Sequence, residues 1–231
     1  MARPQATHSA GGVVMVLDAP TLSVLGRPLY VPKTYAGYTA EVFDIGAGDI
    51  VPGDVEELVR ETYKRRLGID ITHERPFNPT GHVFALYYEG GLVTTGQAAD
   101  PRSPQSDFTA TMGAPFHIGP NTVEMTRVAS RRTPVGRLSA FELLAITAGN
   151  YLKDLGVETA IGYSKPHMVD VAKRFLQSPS AGPIAGSDGG SYYVYEISLA
   201  RSLPLANLAL PSLSTYRSAM AGIRSATPVP A

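Results

Sequence analysis

The chain has 231 residues and carries 20 Lys and Arg against 20 Asp and Glu, so its formal net charge is zero. That length corresponds to one large domain, or to one domain with tails. A balanced charge excludes the strong overall field that draws a protein to nucleic acid or to a membrane surface. The sequence has no cysteine, which excludes disulfides, thiolate metal sites and a cysteine nucleophile.

The two ends of the chain differ in composition from its centre. Residues 1–38 mix Ala, Gly, Ser and Pro and are predicted to form an N-terminal arm, whereas residues 39–199 are predicted to form the folded domain. Residues 200–231 are a C-terminal extension whose leucines would cover a sheet face or contact a second copy in a homodimer. The longest early apolar run, residues 11–17, is too short to span a membrane and ends at Asp18, so we expect a cytoplasmic protein.

The first predicted elements are a strand, a helix and a hairpin. Thr39–Ile45 alternates as a strand does, and Gly and Pro residues follow it. A helix is predicted to begin with Asp54 as its N-cap and to end at Gly68, with apolar residues recurring every three or four positions between them. His82–Tyr88 and Leu92–Ala98 flank a Glu-Gly-Gly turn and are predicted to pair as a β-hairpin.

The second half of the predicted domain alternates strands and helices. The segment Asp100–Asn121 is predicted to be a long loop with little regular structure, and such loops inside compact domains are often functional. A strand at Val123–Ala129 follows, and then a helix that starts with the capping box of Ser139 and Glu142. The remaining predicted elements are a strand, a short helix, a Ser/Gly/Pro loop and a last strand, at Val157–Tyr163, Pro166–Phe175, Ser178–Gly190 and Tyr192–Leu199. This order predicts an α/β fold with a mixed central sheet and helices on both faces.

The turn before the capped helix is basic. Arg131, Arg132 and Arg137 bracket Gly136, and the free backbone N–H groups at a helix start carry about half a positive charge. This arrangement is typical of a site for phosphate or pyrophosphate. The alternative is that the arginines pair with nearby Asp and Glu side chains and that the helix start faces water.

The order of elements around this turn resembles the Gcn5-related N-acetyltransferase (GNAT) superfamily of acyltransferases. In that fold a central strand precedes a pyrophosphate-binding turn of pattern Q/R-x-x-G-x-G/A, which is followed by a long helix, a strand and a shorter helix. Residues 131–136, RRTPVG, match the first and last positions of the pattern, with Pro134 in place of the first glycine. The resemblance implies that the turn binds the phosphates of an acyl donor through Arg131, Arg132, Val135, Gly136, Arg137 and Leu138.

Within the superfamily, the chain is most similar to acyl-homoserine-lactone synthases and long-chain N-acyl amino acid synthases. Their E-x-S-R-F strand motif resembles residues 124–128, EMTRV, and their helix-borne R-x-x-x-F resembles Arg60 and Tyr63. The chain departs from the synthases because it has no Trp and carries Gln97 at the place of their hairpin arginine. Near the place of their acidic pair it has only Asp70 and Glu74.

The resemblance implies roles in aminolysis of a thioester for Glu124, for the backbone at Val128 and Ala129, and for a tyrosine acid. Glu124 would be the general base that takes the proton of the attacking amine, directly or through water. Backbone N–H groups at Val128 and Ala129 would bind the oxyanion. The family often carries a tyrosine acid on the later helix, where this chain has Phe175 and Leu176. Either Tyr163, or Tyr192 or Tyr193 in its place, would protonate the leaving thiolate, or the thiolate would leave without a dedicated acid.

The substrate-binding residues implied by the resemblance are Arg127, Arg60 and Tyr63. Arg127 lies three residues from Glu124, and on a regular strand residues three apart point to opposite faces. We therefore expect Arg127 to face away from Glu124 and to organise the core or an acyl tunnel.

These observations predict an N-acyltransferase that moves an acyl group from acyl-CoA or an acyl carrier protein to the amine of a small metabolite. The five histidines lack metal-ligand spacing, so no metal is expected. Two alternatives stay open: a catalytically inactive protein of this fold that binds a small molecule or a protein partner, and a different biosynthetic step on the same scaffold.

Overall fold

The computed structural model of the protein describes residues 26–29, 31, 35, 37–113, 116–131, 140–169 and 179–209; of residues 73, 74, 168 and 205–209 only the backbone is described. The strands in this part of the chain are β1 (Arg27–Leu29), β2 (Tyr38–Asp44), β3 (His82–Tyr88), β4 (Gly91–Ala99), β5 (Thr122–Ser130), β6 (Thr159–Ser164), β7 (Ala181–Ala185) and β8 (Ser191–Ser198). The helices are α1 (Gly53–Leu67), α2 (Ile71–Glu74), α3 (Asp107–Met112), α4 (Ala140–Asp154) and α5 (Leu199–Ala209).

The eight strands form one sheet in the order β1-β2-β3-β4-β5-β6-β8-β7. Neighbouring strands are antiparallel, except that β5 and β6 are parallel. The connection between these two strands contains α4, as a parallel crossover requires. The predicted mixed α/β architecture is therefore confirmed.

Helix α1 covers one face of the sheet. Its buried residues Val55, Leu58 and Val59 pack in a cluster that includes Phe43 of β2 and Val83 of β3. The other side of α1 is polar, which explains why the helical repeat of apolar residues is visible in the sequence.

The ends of α1 agree only in part with the prediction. The predicted C-terminal stop is confirmed, because Gly68 has a φ of 73° and its N–H donates to the Lys64 carbonyl. The predicted N-cap is wrong, since Pro52 occupies that position and Asp54 lies in the first helical turn. There its carboxylate interacts favourably with the positive end of the helix dipole.

Helices α4 and α5 cover the opposite face of the sheet. Leu143, Leu152 and Leu203 belong to the larger buried cluster on this side, together with Phe84 of β3. At Gly149 a Cβ atom would lie 2.9 Å from the Leu203 side chain, so glycine allows the two helices to approach closely. The predicted C-terminal extension starts at residue 200, and its first ten residues belong to α5. Residues 210–231 lie outside the described part.

The hairpin prediction is confirmed, and each of the two predicted loops contains one short regular element. Glu89 and Gly90 have φ values of 49° and 80° and connect β3 to β4, as a tight hairpin turn requires. The predicted loop at residues 100–121 contains α3, and the predicted loop at residues 178–190 contains β7. Both elements are short, and β7 is stabilised by its pairing with β8 rather than by a local pattern.

Of the predicted short helix at residues 166–175, the described part contains a 3-10 turn at Pro166–Met168 and helical backbone at Val169, and residues 170–178 lie outside the description. Residues 27–29 of the predicted N-terminal arm form β1, which pairs with β2 at the edge of the sheet. No helix within the described ranges is long and apolar enough to cross a membrane.

Candidate active site

The sheet splits between β5 and β6. Their parallel ladder pairs Thr122–Glu124 with Thr159–Ile161 and ends there. Beyond this point β5 runs on to Ser130 beside β4, and β6 runs on to Ser164 beside β8. The β6-facing edge of β5 after Glu124 therefore carries backbone groups that no described strand pairs, and such an edge can bind an extended ligand.

A β-bulge changes the direction of side chains on β5 just beyond the split. Thr95 pairs with Ala129 and Gln97 pairs with Thr126, so an advance of two residues along β4 lies opposite an advance of three residues along β5. Arg127 lies between Thr126 and Ala129, where β5 has the additional residue. Its φ is 54°, a conformation that an L-residue adopts at a cost of about 1–3 kcal/mol. Bulges of this kind commonly redirect a side chain at functional sites.

Glu124 is 1% exposed, and its carboxylate accepts three hydrogen bonds from the segment that starts α3. Ser106 Oγ donates over 2.6 Å, the Phe108 N–H over 2.7 Å and the Asp107 N–H over 3.1 Å. Burial raises the pKa of Glu124, and these hydrogen bonds oppose that rise without cancelling it. Glu124 therefore fixes the first turn of α3 against the strand that borders the split.

Arg127, near the other end of the 124–128 motif, binds the same segment at the start of α3. Its Nε donates to Asp107 Oδ2 over 2.8 Å and its Nη2 to Asp107 Oδ1 over 3.3 Å. Its Nη1 donates to the Arg75 carbonyl over 2.7 Å, and the guanidinium lies 5.3 Å from the centre of the Phe77 ring. The side chains of Arg127 and Asp107 are 1% and 5% exposed, so this is a buried, two-pronged ion pair.

The expectation that Arg127 faces away from Glu124 is wrong. Both side chains bind residues 106–108, so both lie on the face of the sheet that carries α3. The bulge is the physical cause, because one additional residue in a strand reverses the side on which the following side chains project.

Tyr163 of β6 approaches the same network from the far side of the split. Thr111 Oγ1 donates to its hydroxyl over 3.2 Å, and the hydroxyl lies 3.4 Å from the Asp107 carbonyl. Burial, followed by the nearby negative charges of Asp107 and Glu124, raises the pKa of Tyr163 to about 12. The phenol is consequently protonated at neutral pH and is available as a hydrogen-bond donor.

The alternatives to Tyr163 named from the sequence lie elsewhere. The Tyr192 hydroxyl donates to Asp188 over 2.6 Å, while its ring packs edge-on against Tyr163 at 5.6 Å between ring centres. Tyr193 pairs with Ser164 at the outer end of the β6–β8 ladder. Tyr163 is therefore the one of the three whose hydroxyl contacts the α3 segment.

The two substrate-binding candidates on α1 separate in the structure. The Tyr63 hydroxyl lies near the Arg127 backbone, and burial is the main cause that raises its pKa. Arg60, by contrast, is 48% exposed and pairs with Glu57 on the outer face of α1. The structure therefore brings Tyr63 to the buried network and leaves Arg60 outside it.

A cleft of about 610 Å³ lies between α1 and the end of β5. Arg65 and Arg66 line it from the last turn of α1, and Arg131 lines it from the residue that follows β5. The remaining lining residues are Leu58, Glu61, Thr62 and Ser130. The cleft is thus basic and lies at the end of the strand that borders the split.

Of the predicted donor-binding turn, only Arg131 is described. Its N–H donates to the Val93 carbonyl over 2.9 Å, which continues the β4–β5 ladder by one residue. The other predicted residues, Arg132, Val135, Gly136, Arg137 and Leu138, lie outside the described residues, as does Ser139 of the predicted capping box. Val128, predicted for its backbone N–H, is half-buried on the β5 segment beyond the split.

Three residues of the network were not predicted from the sequence. Ser106 and Asp107 lie in the segment interpreted as a loop, and Arg75 contributes its carbonyl to Arg127 and its guanidinium at 3.9 Å from Asp107. A local signal existed for the first two, because a Ser N-cap followed by Asp in the first turn is typical of a helix start. No local signal marks Arg75.

Gln97 also contributes to the support of this region. Its side-chain oxygen accepts from the Asn78 N–H over 3.2 Å, and its side-chain nitrogen donates to the Asn78 carbonyl over 3.1 Å. The amide therefore fixes the chain near Phe77, whose ring packs on Arg127.

Within the described part of the chain, no group of three or more His, Asp or Glu side chains could hold a metal ion.

Comparison with solved structures identifies the class of fold. The chain is similar to a CoA-dependent acyl-homoserine lactone synthase, BjaI, determined with SAM and isopentyl-CoA, with a TM-score of 0.56 and 12% sequence identity over 79% of this chain and 99% of that chain. It is also similar to the AHL synthase LasI, with a TM-score of 0.52 and 14% identity over 73% of this chain and 93% of that chain. TofI in an apo form gives a TM-score of 0.51 and 16% identity over 75% and 98% of the two chains.

No protein-family model and no curated protein matches the chain. At 12–16% identity the structural likeness shows the fold. The protein has the acyl-CoA N-acyltransferase-like (GNAT) fold, in the form shared with acyl-homoserine lactone synthases, and the resemblance described from the sequence is confirmed at that level.

Proposed function

We propose that this protein is an N-acyltransferase that moves an acyl group from a thioester of CoA or an acyl carrier protein to the amine of a small metabolite. The observation that carries the proposal is the split between β5 and β6, with the buried network of Glu124, Asp107 and Arg127 on one side of it. An extended pantetheine arm fits an unpaired strand edge, and its thioester would then lie beside the bulge.

The donor is proposed to enter over the end of β5. The arginines of the cleft and of the turn at residues 131–137 supply the positive charge that a phosphorylated carrier arm needs. The similar structure of BjaI was determined with isopentyl-CoA and SAM, which supports a CoA-type donor and an amine-bearing acceptor for this chain.

The reaction forms a C–N bond between the amine and the thioester carbon and breaks the C–S bond. The amine proton has to leave, and we assign it to Glu124, directly or through a water molecule. A carboxylate has about four lone-pair sites, and three of them accept from residues 106–108, so one remains for the incoming proton. A pKa raised by burial brings Glu124 closer to neutrality, where a general base is most effective.

The negative charge that develops on the thioester oxygen is assigned to the backbone N–H group of Val128, on the strand segment that follows the bulge. The Ala129 N–H points toward β4, because Ala129 pairs with Thr95 and the Arg131 N–H, two residues on, donates to Val93 of β4. The leaving sulfur is assigned to Tyr163, whose hydroxyl stays protonated because its pKa is about 12. Arg127 and Tyr63, whose hydroxyl lies near the Arg127 backbone, are assigned to the substrate side of the bulge.

The test of this proposal is release of free thiol from a panel of acyl-CoA and acyl-carrier-protein donors, each with and without a panel of small amines. We expect amine-dependent release with at least one pair, and an amide product of the summed mass. Release of no thiol together with binding of no donor would contradict the proposal.

A second candidate is a protein that binds an acyl donor or a metabolite without turning it over. The observation that favours it is that both Glu124 oxygens are already bonded to residues 106–108 inside the protein. Under this alternative, Glu124→Ala would change the stability of the protein and leave ligand affinity unchanged. Under the acyltransferase proposal, it abolishes turnover while the donor still binds.

A further inference from the structure

Three arginines in the cleft between α1 and β5 have no carboxylate partner among the described residues. Arg65, Arg66 and Arg131 line the same space, and none of them forms an ion pair with any residue that the structure describes. Glu61, the acidic residue that lines the cleft, forms no ion pair with a described residue either. Five other described arginines do pair with carboxylates, namely Arg27, Arg60, Arg75, Arg102 and Arg127.

Helix stability explains the positions of Arg65 and Arg66 at the cleft but not that of Arg131. Basic residues in the last turn of α1 are favoured by the negative end of the helix dipole, which accounts for Arg65 and Arg66. It does not account for Arg131, which comes from the end of a different element. Thr62, at the wall of the same cleft, is 2% exposed, and its buried hydroxyl oxygen has no hydrogen-bond partner among the described residues.

The charge of the cleft indicates which anion fits. Three guanidinium groups against the one Glu61 carboxylate give a net charge of about +2 in a space of about 610 Å³, which is within the size range of ligand sites, roughly 300–1,000 Å³. A phosphate monoester carries about −1.5 to −2 at neutral pH, whereas a phosphate diester carries a single negative charge. The cleft therefore complements a monoester better than a diester.

We propose that this cleft binds the terminal phosphomonoester of a CoA donor, and that it makes the protein prefer acyl-CoA to an acyl carrier protein. The reason is chemical: CoA ends in a 3′-phosphomonoester, whereas the arm of a carrier protein is joined to its serine through a phosphodiester. This inference rests on the proposed function, since it specifies which donor the same site uses. It assigns Arg65, Arg66 and Arg131 to the end of the donor that lies farthest from the thioester.

The binding experiment compares CoA with dephospho-CoA, which lacks only the 3′-phosphate. We expect the wild-type protein to bind CoA about tenfold more tightly in low salt, because bonds between arginine and phosphate are charge-assisted, and to lose part of this preference at high ionic strength. Arg66→Ala and Arg131→Ala should each reduce the ratio of the two affinities several-fold. Arg201→Ala, which removes one exposed cation from α5, is the matched control and should leave the ratio unchanged.

The turnover experiment separates this inference from the proposed function. Acyl-pantetheine, dephospho-acyl-CoA, acyl-CoA and acyl carrier protein are offered with the same acyl group, and we expect acyl-CoA to give the highest kcat/KM. Equal kcat/KM for all donors, or equal affinity for CoA and dephospho-CoA, would overturn the inference and leave the acyltransferase proposal intact. Turnover of no donor would contradict the proposed function, and the CoA affinities would still decide the fate of the phosphate site.

Discussion

Substitution of Asp107 by alanine tests the buried ion pair next to the split in the sheet. The change leaves the Arg127 guanidinium, 1% exposed, without the carboxylate that accepts its Nε and Nη2 bonds. Removing one partner of a buried pair costs about 3–5 kcal/mol, because the remaining charge is left desolvated and unpaired. The loss of negative charge from the first turn of α3 adds to this cost.

The assay for Asp107→Ala is unfolding in urea followed by circular dichroism. With an m-value of about 2–3 kcal/mol per molar, a loss of about 3–5 kcal/mol lowers the midpoint by about 1–2.5 M. Asp100→Ala is the matched control, since it deletes the partner of Arg102 from an ion pair whose side chains are 51% and 46% exposed, and such pairs contribute about 1 kcal/mol or less. Equal midpoints for the two variants would refute the conclusion that the Arg127–Asp107 pair holds this region together.

Three further substitutions test other parts of the site. Glu124→Gln places an amide donor opposite the donors of residues 106–108, so we expect about 1–3 kcal/mol less stability and turnover reduced about 100-fold. Burial raises the pKa of Glu124 from its ordinary value of 4.5. The contribution of Glu124 to stability is therefore complete below pH 4.5 and is lost as the pH rises through the pKa of the folded state. The difference in unfolding free energy between wild type and Glu124→Gln should fall over that pH range, and a difference that grows would contradict the raised pKa. Tyr163→Phe should lower kcat at least tenfold with little change in KM, whereas an unchanged kcat would remove Tyr163 from the mechanism. Gly81→Ala would place a Cβ 2.7 Å from Gln97 Nε2 and 2.9 Å from the Ala98 carbonyl, so its melting temperature should fall clearly, while Gly53→Ala, which meets nothing within 4 Å, should leave it unchanged.

The parts of the fold that depend on neighbouring residues could be predicted from the sequence. The stop of α1 at Gly68 and the β3–β4 turn at Glu89 and Gly90 need backbone conformations that local residue types indicate directly. The order of strands and helices followed from such signals, and the resemblance of residues 124–136 to a known family then indicated which fold they build.

The direction of Arg127 could not be predicted, because it depends on the register between two strands. The bulge arises where Thr95 and Gln97 of β4 meet Ala129 and Thr126 of β5, and no residue on β5 alone signals it. The partner of Arg127 was missed for a related reason. Asp107 lies 20 positions away in sequence on a helix of six residues, too short for a periodic pattern to be visible.

The contribution of Tyr63 could be predicted only through the resemblance. Its position on α1 fits an ordinary packing residue, and its link to the Arg127 backbone depends on how α1 crosses β5. The contrast with Arg60, three residues earlier and paired with Glu57 on the exposed face, shows that a family motif does not fix which of its members reaches the site.

The most direct test of the account is amide hydrogen exchange of the intact protein with and without a hydrolysis-resistant acyl-CoA analogue. We expect the analogue to slow exchange at residues 125–131, where β5 runs on past the end of its β6 ladder, and to leave β3 unchanged, because its backbone is already paired on both sides. Binding of the analogue with no protection along residues 125–131 would contradict the claim that the split in the sheet is the site of acyl transfer.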